Sequence, residues 1–276
     1  METNKIQILY IGIDHSESKF LFGTEMGYGL IDLHNLNITH DNLSLGGGIG
    51  LIELLPSESD DAYVCVIGGG AMPYYPLNVL TVLNANTNQA ISEIRCGSEI
   101  QSVKTKKHML AIITESSTKL VSTINLETLH IISDISSIEN FSGIGDLNKN
   151  ANNLEKQETV VVTYSKIDDF CGEDPGAYAI LTLYKFVETQ SQHKNALQNY
   201  EWKSKSNLAI QDQNLKDIDI VCLNSLGNLL AVCYSQGQFI KLFDTRSRTL
   251  LKHFKRGSFG IIPYELSFDS KDQYLS

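Results

Sequence analysis

The sequence predicts an all-β protein assembled from repeated units. Short apolar runs with period-2 alternation recur along the chain and are separated by turn residues, which is typical of strands. The runs group into five units, each an expected β-meander of about 40 residues, which is the period of propeller blades. Proline and glycine fall mainly between the runs, as a β architecture requires. These observations predict a WD-repeat-like β-propeller with about five blades and the start of a sixth.

The first three units are predicted from apolar runs at blade-like spacing. The first unit covers 6–36, with runs at 6–11, 19–23 and 29–33. The second covers 50–97, with runs at 50–55, 63–67, 79–84 and 90–95. The third covers 100–135, with runs at 98–103, 110–113, 120–124 and 129–132.

The second half of the chain has a weaker pattern. A fourth unit includes the runs 159–164 and 178–186, a fifth covers 218–254, and 264–268 would begin a sixth. The polar segments 148–156 and 187–214 are expected to be mobile loops, because they lack apolar alternation. A short helix within 191–201 is an alternative for part of the second segment.

Composition limits the classes of protein that fit. The chain has 276 residues, 42% of them apolar, and a formal net charge of -10 at pH 7. Its mean hydropathy is -0.11, and it contains no apolar run near the roughly 20 residues that cross a bilayer. The N-terminal residues lack the pattern of a secretion signal. The five cysteines are widely spaced and are interpreted as buried thiols in a reducing compartment.

One local charge pattern departs from the acidic average. Between Lys241 and Gly257 the chain carries six Lys or Arg and one Asp, whereas the rest carries 16 basic and 31 acidic residues. A positive patch of this kind is what an anionic ligand needs on a molecule whose overall field repels phosphate. The alternative, a solvated strand end with mixed charge, stays open on charge pattern alone.

Two motifs add a family resemblance. The tetrapeptide Phe254-Lys255-Arg256-Gly257 follows a strand pair at 229–234 and 239–244 that is joined by a Ser-Gln-Gly-Gln turn. Far upstream stand Gly46-Gly47-Gly48, a second glycine triplet at 68–70, a Pro-Tyr-Tyr-Pro run at 73–76 and Asn78. This series resembles the compact branch of the PROPPIN or WIPI family, seven-bladed propellers that bind phosphoinositides. The resemblance runs from about Ile6 to the C-terminus and is weak across 145–215.

The resemblance implies a binding site for an inositol phosphate. In the family, two adjacent arginines on one segment each serve a different pocket; here Lys255 and Arg256 hold those positions. Lysine keeps the charge but lacks arginine's two-pronged fork, so the Lys255 pocket is expected to be weaker. Lys241 and His253, together with Lys252, add positive field, and Ser258 supplies a hydroxyl. The first pocket departs from the family, because Gln238 and Asn214 replace the expected threonine and histidine.

The implied function is a membrane-recruited scaffold of autophagy. It would bind phosphatidylinositol 3-phosphate or the 3,5-bisphosphate on pre-autophagosomal, endosomal or vacuolar membranes, and be cytoplasmic otherwise. Its partners would be lipid-transfer and scaffold proteins of autophagy, docked through loops of the first three blades, where Asp14 approximates the family pattern. The alternative is a protein-interaction propeller that has lost lipid binding. No enzyme, cofactor or nucleic-acid function is expected.

The resemblance also suggests a single domain, 1–276, that is incomplete at the C-terminus. A full family member would continue for about one and a half more blades of roughly 40 residues. Unpaired strand edges invite association, so poor solubility or self-association is expected. A truncated product, a fragment and a subunit that needs a partner stay open.

Other motifs carry less weight. The triplet 68–70 is interpreted as a hairpin loop and not a phosphate loop, because Pro73 and Pro76 forbid the helix that a phosphate loop precedes. The acidic residues in 168–174 lack calcium-site spacing and are interpreted as a solvated loop. The basic turn 104–108 is interpreted as a solvated hairpin. No histidine stands at metal or catalytic-triad spacing.

Overall fold

The chain is all-β in the computed structural model. The structure describes residues 6–14, 18–56, 62–106, 109–133, 141–147, 158–166, 179–189, 199–210, 218–224, 226–261, 263, 266–269 and 274–275. These residues form five four-stranded sheets and no helix. Accordingly, no helix in these ranges is long and apolar enough to span a membrane.

Within each sheet the strands follow one another in chain order, and every pair whose register is described is antiparallel. The first sheet comprises β1 (Ile8–Ile13), β2 (Lys19–Thr24), β3 (Gly27–Asp32) and β4 (Ile38–Asn42). The second comprises β5 (Ile49–Leu55), β6 (Tyr63–Gly68), β7 (Val79–Asn84) and β8 (Gln89–Arg95). The third comprises β9 (Ile100–Lys106), β10 (Met109–Thr114), β11 (Thr118–Ser122) and β12 (Thr128–Ile132).

The remaining sheets repeat the same meander. The fourth comprises β13 (Phe141–Leu147), β14 (Glu158–Lys166), β15 (Ala179–Thr189) and β16 (Asn199–Ile210). The fifth comprises β17 (Ile218–Leu223), β18 (Leu229–Tyr234), β19 (Phe239–Asp244) and β20 (Leu250–Lys255). Beyond β20, Phe268 and Leu275 form an isolated antiparallel bridge.

Contacts divide the chain into two compact units. The first consists of Met1–Glu115 and Lys119–Thr128, and the second of Ser116–Thr118 and Leu129–Ser276. The first unit holds two apolar clusters, one around Leu30 and Ile52 and one around Leu80 and Leu110. A cluster in the second unit includes Ala231, Cys233 and Leu266. The prediction of one domain stays a prediction.

Burial falls from the middle strands of a sheet to its last strand. In the second sheet β6 and β7 are almost wholly buried, whereas β8 is exposed along most of its length. In the fifth sheet β18 is buried and all of β20 is exposed. A nearly continuous apolar sequence is therefore needed in the middle strands, while the last strand is held mainly by its backbone ladder.

The predicted fold class is confirmed. The predicted units differ from the observed sheets in three places, the first of which is β13 (Phe141–Leu147), where no strand was predicted. The run 29–33 was the last strand predicted in the first unit, but β4 follows it with the polar sequence Ile-Thr-His-Asp-Asn. The prediction of a loop over 187–214 is wrong at 187–189, which belongs to β15, and at 199–210, which is β16. The alternative helix within 191–201 is wrong at 199–201. The physical reason is backbone pairing with the preceding strand, which a polar sequence can satisfy.

The glycine triplet 68–70 lies where a hairpin connection was predicted. β6 ends at Gly68 and pairs antiparallel with β7, and Gly70 has a φ of 72°. Gly48 bonds to this connection, since its N–H donates to Met72 O at 2.7 Å and its carbonyl accepts from Tyr74 N at 3.0 Å. The acidic segment 168–174 and the polar segment 148–156 lie outside the described residues. Of the predicted sixth-unit strand 264–268, the described residues 266–268 form no strand, and Phe268 makes only the isolated bridge to Leu275.

Candidate anion-binding site

The predicted site residues lie on the last two strands of the fifth sheet and just beyond them. Register places Tyr234, Phe239 and Lys255 in one row across β18, β19 and β20. Lys241 and His253 face each other in the next row of the same side. Because cross-strand partners share a face, three of the predicted basic groups emerge on one side of the sheet.

Tyr234 organises this face. Its side chain is 1% exposed, and its ring stacks on Phe239 with centroids 5.5 Å apart and planes 23° apart. Its hydroxyl lies 2.8 Å from Nε2 of His253, whose ring also stacks against the tyrosine at 6.1 Å. The imidazole is therefore held against the sheet by one hydrogen bond and an aromatic stack, although His253 is exposed.

Lys241 is drawn into the same cluster. The residue is 7% exposed, and its Nζ lies 5.4 Å from the centroid of the Tyr234 ring, within the range of a cation–π contact. Lys255 is exposed in the adjacent row, whereas Lys252 points to the opposite face because neighbouring strand residues alternate. Lys241 thus adds positive field from within the sheet, and Lys255 is the lysine that reaches solvent on this face.

Arg256 leaves the strand and bends over the β18–β19 loop. Its backbone N–H donates to Gln238 O at 2.7 Å, and its Nη1 donates to Gly237 O at 3.3 Å and to Ile261 O at 3.0 Å. A guanidinium has five N–H donors, and the other three, on Nε and Nη2, have no acceptor among the described residues. The side chain therefore closes a loop through Nη1 alone, and its other donors take no part in that closure.

The β18–β19 loop has the conformation that this contact requires. Ser235, Gln236 and Gly237 have φ of 56°, 55° and 76°, in the left-handed region. A Cβ on Gly237 would collide with the carbonyl oxygen of Ile261, so the position needs glycine. The Gly237 N–H donates to Asp219 Oδ2 at 2.7 Å. The peptide groups on either side of the Gly237 Cα are thus both bonded: the preceding one donates to a carboxylate from β17, and the following one accepts from Arg256.

Asp219 is a residue that sequence reasoning missed. It lies in β17 between two isoleucines, and an acid inside an apolar strand was the available signal. Its charge reaches Cys233, since burial raises the pKa of that thiol, Asp219 raises it further and Arg256 lowers it. The negative Asp219 and the positive Arg256 therefore shift the pKa of the Cys233 thiol in opposite directions.

The basic patch of the sequence is divided in space. Arg246 and Arg248 lie in the β19–β20 turn, and β20 separates this turn from Arg256 by about 17 Å at the usual strand rise. In the turn the Asp244 carboxylate accepts from Ser247 N at 2.7 Å and Arg246 N at 2.8 Å, and these bonds lower its pKa. Ser258, which was predicted to supply a hydroxyl, is exposed in the bend after β20.

The site thus consists of Lys255, Arg256 and His253 at the surface, Lys241 beneath them and Ser258 beyond them. Guanidinium and ammonium groups at one strand end, with a hydroxyl nearby, suit a phosphate ester. The described part of the chain holds no cluster of three or more His, Cys, Asp or Glu side chains that could hold a metal ion.

Comparison with known proteins supports the same interpretation. No family model matches the chain. Autophagy-related protein 18 of Candida glabrata is 20% identical over 318 residues, which cover 100% of this chain and 61% of that protein. SVP1-like protein 2 of Saccharomyces cerevisiae is 24% identical over 290 residues, which cover 99% of this chain and 60% of that protein. The chain therefore spans about three fifths of the length of these curated relatives.

Solved structures show the fold. Kluyveromyces lactis Hsv2 with a complete loop 6CD superposes with a TM-score of 0.64 at 12% identity, covering 98% of this chain and 70% of that one. KlAtg21, solved in complex with the coiled-coil of AgAtg16, superposes with a TM-score of 0.66 at 15% identity, covering 98% and 77%. Likeness at this identity supports the β-propeller class and leaves function to the site.

Proposed function

Since the homologues of this chain are the autophagy-related 18 and SVP1-like proteins of the PROPPIN family, we propose that it is a phosphoinositide-binding scaffold of autophagy. The observation that carries the proposal is Arg256, an exposed arginine just after an outer strand whose Nη1 is bonded to two loop carbonyls and whose three remaining N–H donors have no acceptor among the described residues. Charge-assisted bonds from such a group are the strong contacts of phosphate recognition.

Each site residue has a distinct role in the proposal. Arg256 grips a phosphate with two N–H groups, and Lys255 adds a point charge without the fork. His253 is oriented by Tyr234 toward the same face, and Lys241 contributes its field from within the sheet. Ser258 offers a hydroxyl to a second oxygen. The ligand is phosphatidylinositol 3-phosphate or the 3,5-bisphosphate.

The cellular setting of the proposal follows the family. The chain would be cytoplasmic and peripheral on pre-autophagosomal, endosomal or vacuolar membranes, with autophagy lipid-transfer and scaffold proteins as partners. The KlAtg21 structure, solved with a coiled-coil of AgAtg16, supports a partner of that kind. Its role would be presentation of other proteins at a membrane and not catalysis.

One observation favours a second function, a protein-interaction propeller without lipid binding. Arg256 Nη1 is engaged by two backbone carbonyls, and Lys241 is buried over an aromatic ring. Both groups then stabilise the sheet end without a ligand. The two functions differ in whether the remaining donors of Arg256 contribute to binding at all.

Co-sedimentation with liposomes that contain phosphatidylinositol 3-phosphate separates the two functions. Arg256→Ala should weaken binding about tenfold or more, because a charge-assisted contact contributes on the order of 1.5–3 kcal/mol. Arg256→Gln keeps an N–H donor for the loop carbonyls but loses the charge, so it should weaken binding as well. Lys255→Ala should have a smaller effect, and Lys255→Arg should restore a fork. Binding should fall as salt rises.

The matched control is Arg95→Ala, which removes an exposed arginine from the end of another outer strand, β8. Arg95→Ala should bind phosphatidylinositol 3-phosphate vesicles like the wild type. Neither protein should bind vesicles of unphosphorylated phosphatidylinositol. Thermal melts report whether Arg256→Ala is folded. Equal binding of wild type, Arg256→Ala and Arg256→Gln would remove the lipid function and leave the interaction scaffold.

A further inference from the structure

Ser258 follows the two basic residues of the candidate site at a spacing that suits a protein kinase. The sequence over 255–259 is Lys-Arg-Gly-Ser-Phe, so basic side chains stand two and three positions before the serine and an aromatic one directly after it. Kinases select substrates partly by such charge patterns. Along the whole sequence, Ser258 is the only serine or threonine with basic residues at both of these preceding positions.

The structure leaves this segment open to an enzyme. Ser258 lies exposed in the bend after β20, outside any strand, and Phe259 is 84% exposed, the highest fraction among the described large hydrophobic residues. β20 is the outermost strand of its sheet, and all of its residues are exposed. A kinase can therefore reach the serine and the side chains on both sides of it without unfolding the sheet.

A phosphate on Ser258 would lie within reach of Arg256. Two residues span at most about 7 Å, and the arginine and phosphoserine side chains together are longer than that. Arg256 Nη1 is bonded to the carbonyls of Gly237 and Ile261, and the other three N–H donors of the guanidinium have no acceptor among the described residues. A phosphate attached two residues away would find donors that are positioned and available.

The charges of the two groups match. A phosphoserine carries about −1.5 to −2 charges at pH 7 and three acceptor oxygens, which balances the two positive charges of Lys255 and Arg256. Because the phosphate is attached to the same bend, it acts at a high effective concentration and competes with a phosphate ester from solution for the same donors.

We propose that Ser258 is a phosphorylation site for a kinase that selects basic residues, and that its phosphate occupies Arg256 and Lys255 and so excludes a phosphoinositide headgroup. The inference rests on the proposed function and adds its regulation. In the step, Ser258 Oγ attacks the γ-phosphorus of ATP, and the new O–P bond replaces the bond to the oxygen that bridges the β- and γ-phosphates. ADP leaves, and the catalytic base of the kinase takes the hydroxyl proton.

The first experiment tests modification of the folded protein. The 276-residue chain is incubated with ATP and the catalytic subunit of cyclic-AMP-dependent protein kinase, and modified residues are located by mass spectrometry. Ser258 should be phosphorylated in the wild type, and Lys255→Ala should slow its phosphorylation. Ser247 is the internal control, because it is exposed between two arginines but has Asp244 and Thr245 at the preceding positions. It should stay unmodified. Phosphorylation of a peptide with the sequence 250–262 but not of the folded protein overturns the site.

The second experiment measures binding by protein that carries phosphoserine, inserted during translation at position 258 or at position 247. The ligands are phosphatidylinositol 3-phosphate vesicles and the soluble dibutanoyl form of the same lipid. Phosphoserine at 258 should weaken binding of both about tenfold or more, whereas the same charge at 247, beyond the length of β20, should weaken it within about threefold. Ser258→Ala removes the hydroxyl without adding charge and should weaken binding far less. Equal weakening by the two phosphoserines overturns the inference.

A third measurement does not depend on the lipid. Phosphorus NMR follows the second ionisation of the phosphoserine at position 258, which ordinarily has a pKa of about 6. Contact with a guanidinium favours the dianion, so this ionisation should occur at a pH lower by about half a unit or more than in the Arg256→Gln variant. Arg95→Ala is the control and should leave it unchanged. The same ionisation with and without Arg256 overturns the contact.

The outcomes distinguish this inference from the function on which it rests. If the unmodified protein binds the lipid and the phosphorylated protein binds it equally well, the proposed function stands and the regulation is overturned. If the unmodified protein binds neither lipid form, the proposed function fails and the regulation fails with it, while the NMR measurement still decides whether Arg256 holds the phosphate. If phosphorylation abolishes the thermal unfolding transition, the phosphate disrupts the fold and does not occupy the site, which also overturns the inference.

Discussion

β8 and β20 are the last strands of equivalent sheets, yet they differ in net charge. Both follow buried middle strands and are exposed along most of their length. β8 ends with Arg95, whose guanidinium pairs with Glu93 at 3.0 Å. β20 carries Lys252, His253 and Lys255 and no acid. The same position in the meander is thus neutralised in one sheet and left positive in the other.

The two arginines at these strand ends show how that difference arises. Arg95 is bonded to a carboxylate, which cancels its charge, whereas Arg256 is bonded to two neutral carbonyls, which orient it without cancelling its charge. A positioned but uncompensated guanidinium is what an anion site needs. The four-stranded sheet accommodates an arginine at this strand end either paired with a carboxylate or bonded to carbonyls. Whether the strand end can attract an anion therefore depends on the bonding partner of its arginine.

Reversing the charge of the β20 end should have the largest effect. The double substitution Lys255→Glu with Arg256→Glu replaces two attractive charges with two repulsive ones. We expect at least a hundredfold loss of affinity for phosphatidylinositol 3-phosphate vesicles, on the order of 3 kcal/mol. Arg95→Glu, the same reversal at the end of β8, should leave vesicle binding unchanged. If the two reversals lower vesicle binding equally, the overall charge of the protein determines binding, and the β20 end has no special role.

A carboxyl group in an inner strand should alter stability and not binding. Glu53 lies in β5, in the same sheet as β8, and accepts a hydrogen bond from Thr105 Oγ1. Burial raises its pKa from 4.5 to about 7; the Thr105 bond and Lys104 lower it, and Asp14 raises it. The folded state holds the Glu53 proton more tightly than the unfolded state. The contribution of the protonated carboxyl to the free energy of unfolding is therefore greatest below about pH 4.5 and is lost as pH rises through about 7.

Glu53→Gln should remove that pH dependence. Between pH 5 and pH 8 the wild type should lose about 2 kcal/mol of unfolding free energy from this group, and the variant should not. Urea unfolding across the range checks the difference, with Glu93→Gln on exposed β8 as the control for a surface carboxyl. If the unfolding free energies of wild type and Glu53→Gln changed with pH in parallel, the raised pKa of Glu53 would be contradicted. A change in vesicle binding by Glu53→Gln would contradict the expectation that this group affects stability and not binding.

The smallest expected effect concerns the loop under Arg256. Gly237→Ala adds a Cβ at a φ of 76° against the Ile261 carbonyl, whereas Gly46→Ala adds one at a similar φ of 73° with no atom within 4 Å. Both should cost about 1 kcal/mol for the backbone conformation. Only Gly237→Ala should also weaken vesicle binding, by a few-fold, because it displaces Arg256. Equal vesicle binding of the two variants would show that the loop does not position the arginine.

The positions of the strands could be predicted from the sequence where a strand is buried and its residues must therefore be apolar. The second sheet was predicted to within a residue at its strand ends, because β6 and β7 consist mainly of Val, Ile and Leu and are almost wholly buried. β4, β13 and β16 were missed, since their polar or glycine-containing sequences are held by backbone pairing to a neighbour. The pattern of apolar and polar residues along the sequence cannot show such pairing.

The site was only partly predictable for a related reason. Lys255 and Arg256 stand out in the sequence by charge and motif. The contact of Arg256 with Ile261, the bond from Gly237 to Asp219 and the stacking of Tyr234 with His253 join residues that are brought together by register and loop conformation. The roles of the basic residues in lipid binding stay predictions that the vesicle experiments address.

The burial of the cysteines has a consequence for chemical labelling. Cys65 and Cys233 are buried, Cys96 and Cys222 are half-buried, and none of these four forms a disulfide; burial raises the pKa of Cys65, Cys96 and Cys233. Thiols held protonated and enclosed react slowly with maleimides, because the thiolate is the nucleophile. With Cys171, which lies outside the described residues, replaced by serine, a cysteine introduced at exposed Ser258 should react far faster than the native thiols. A single fluorophore could then be attached beside Arg256 without rebuilding the protein.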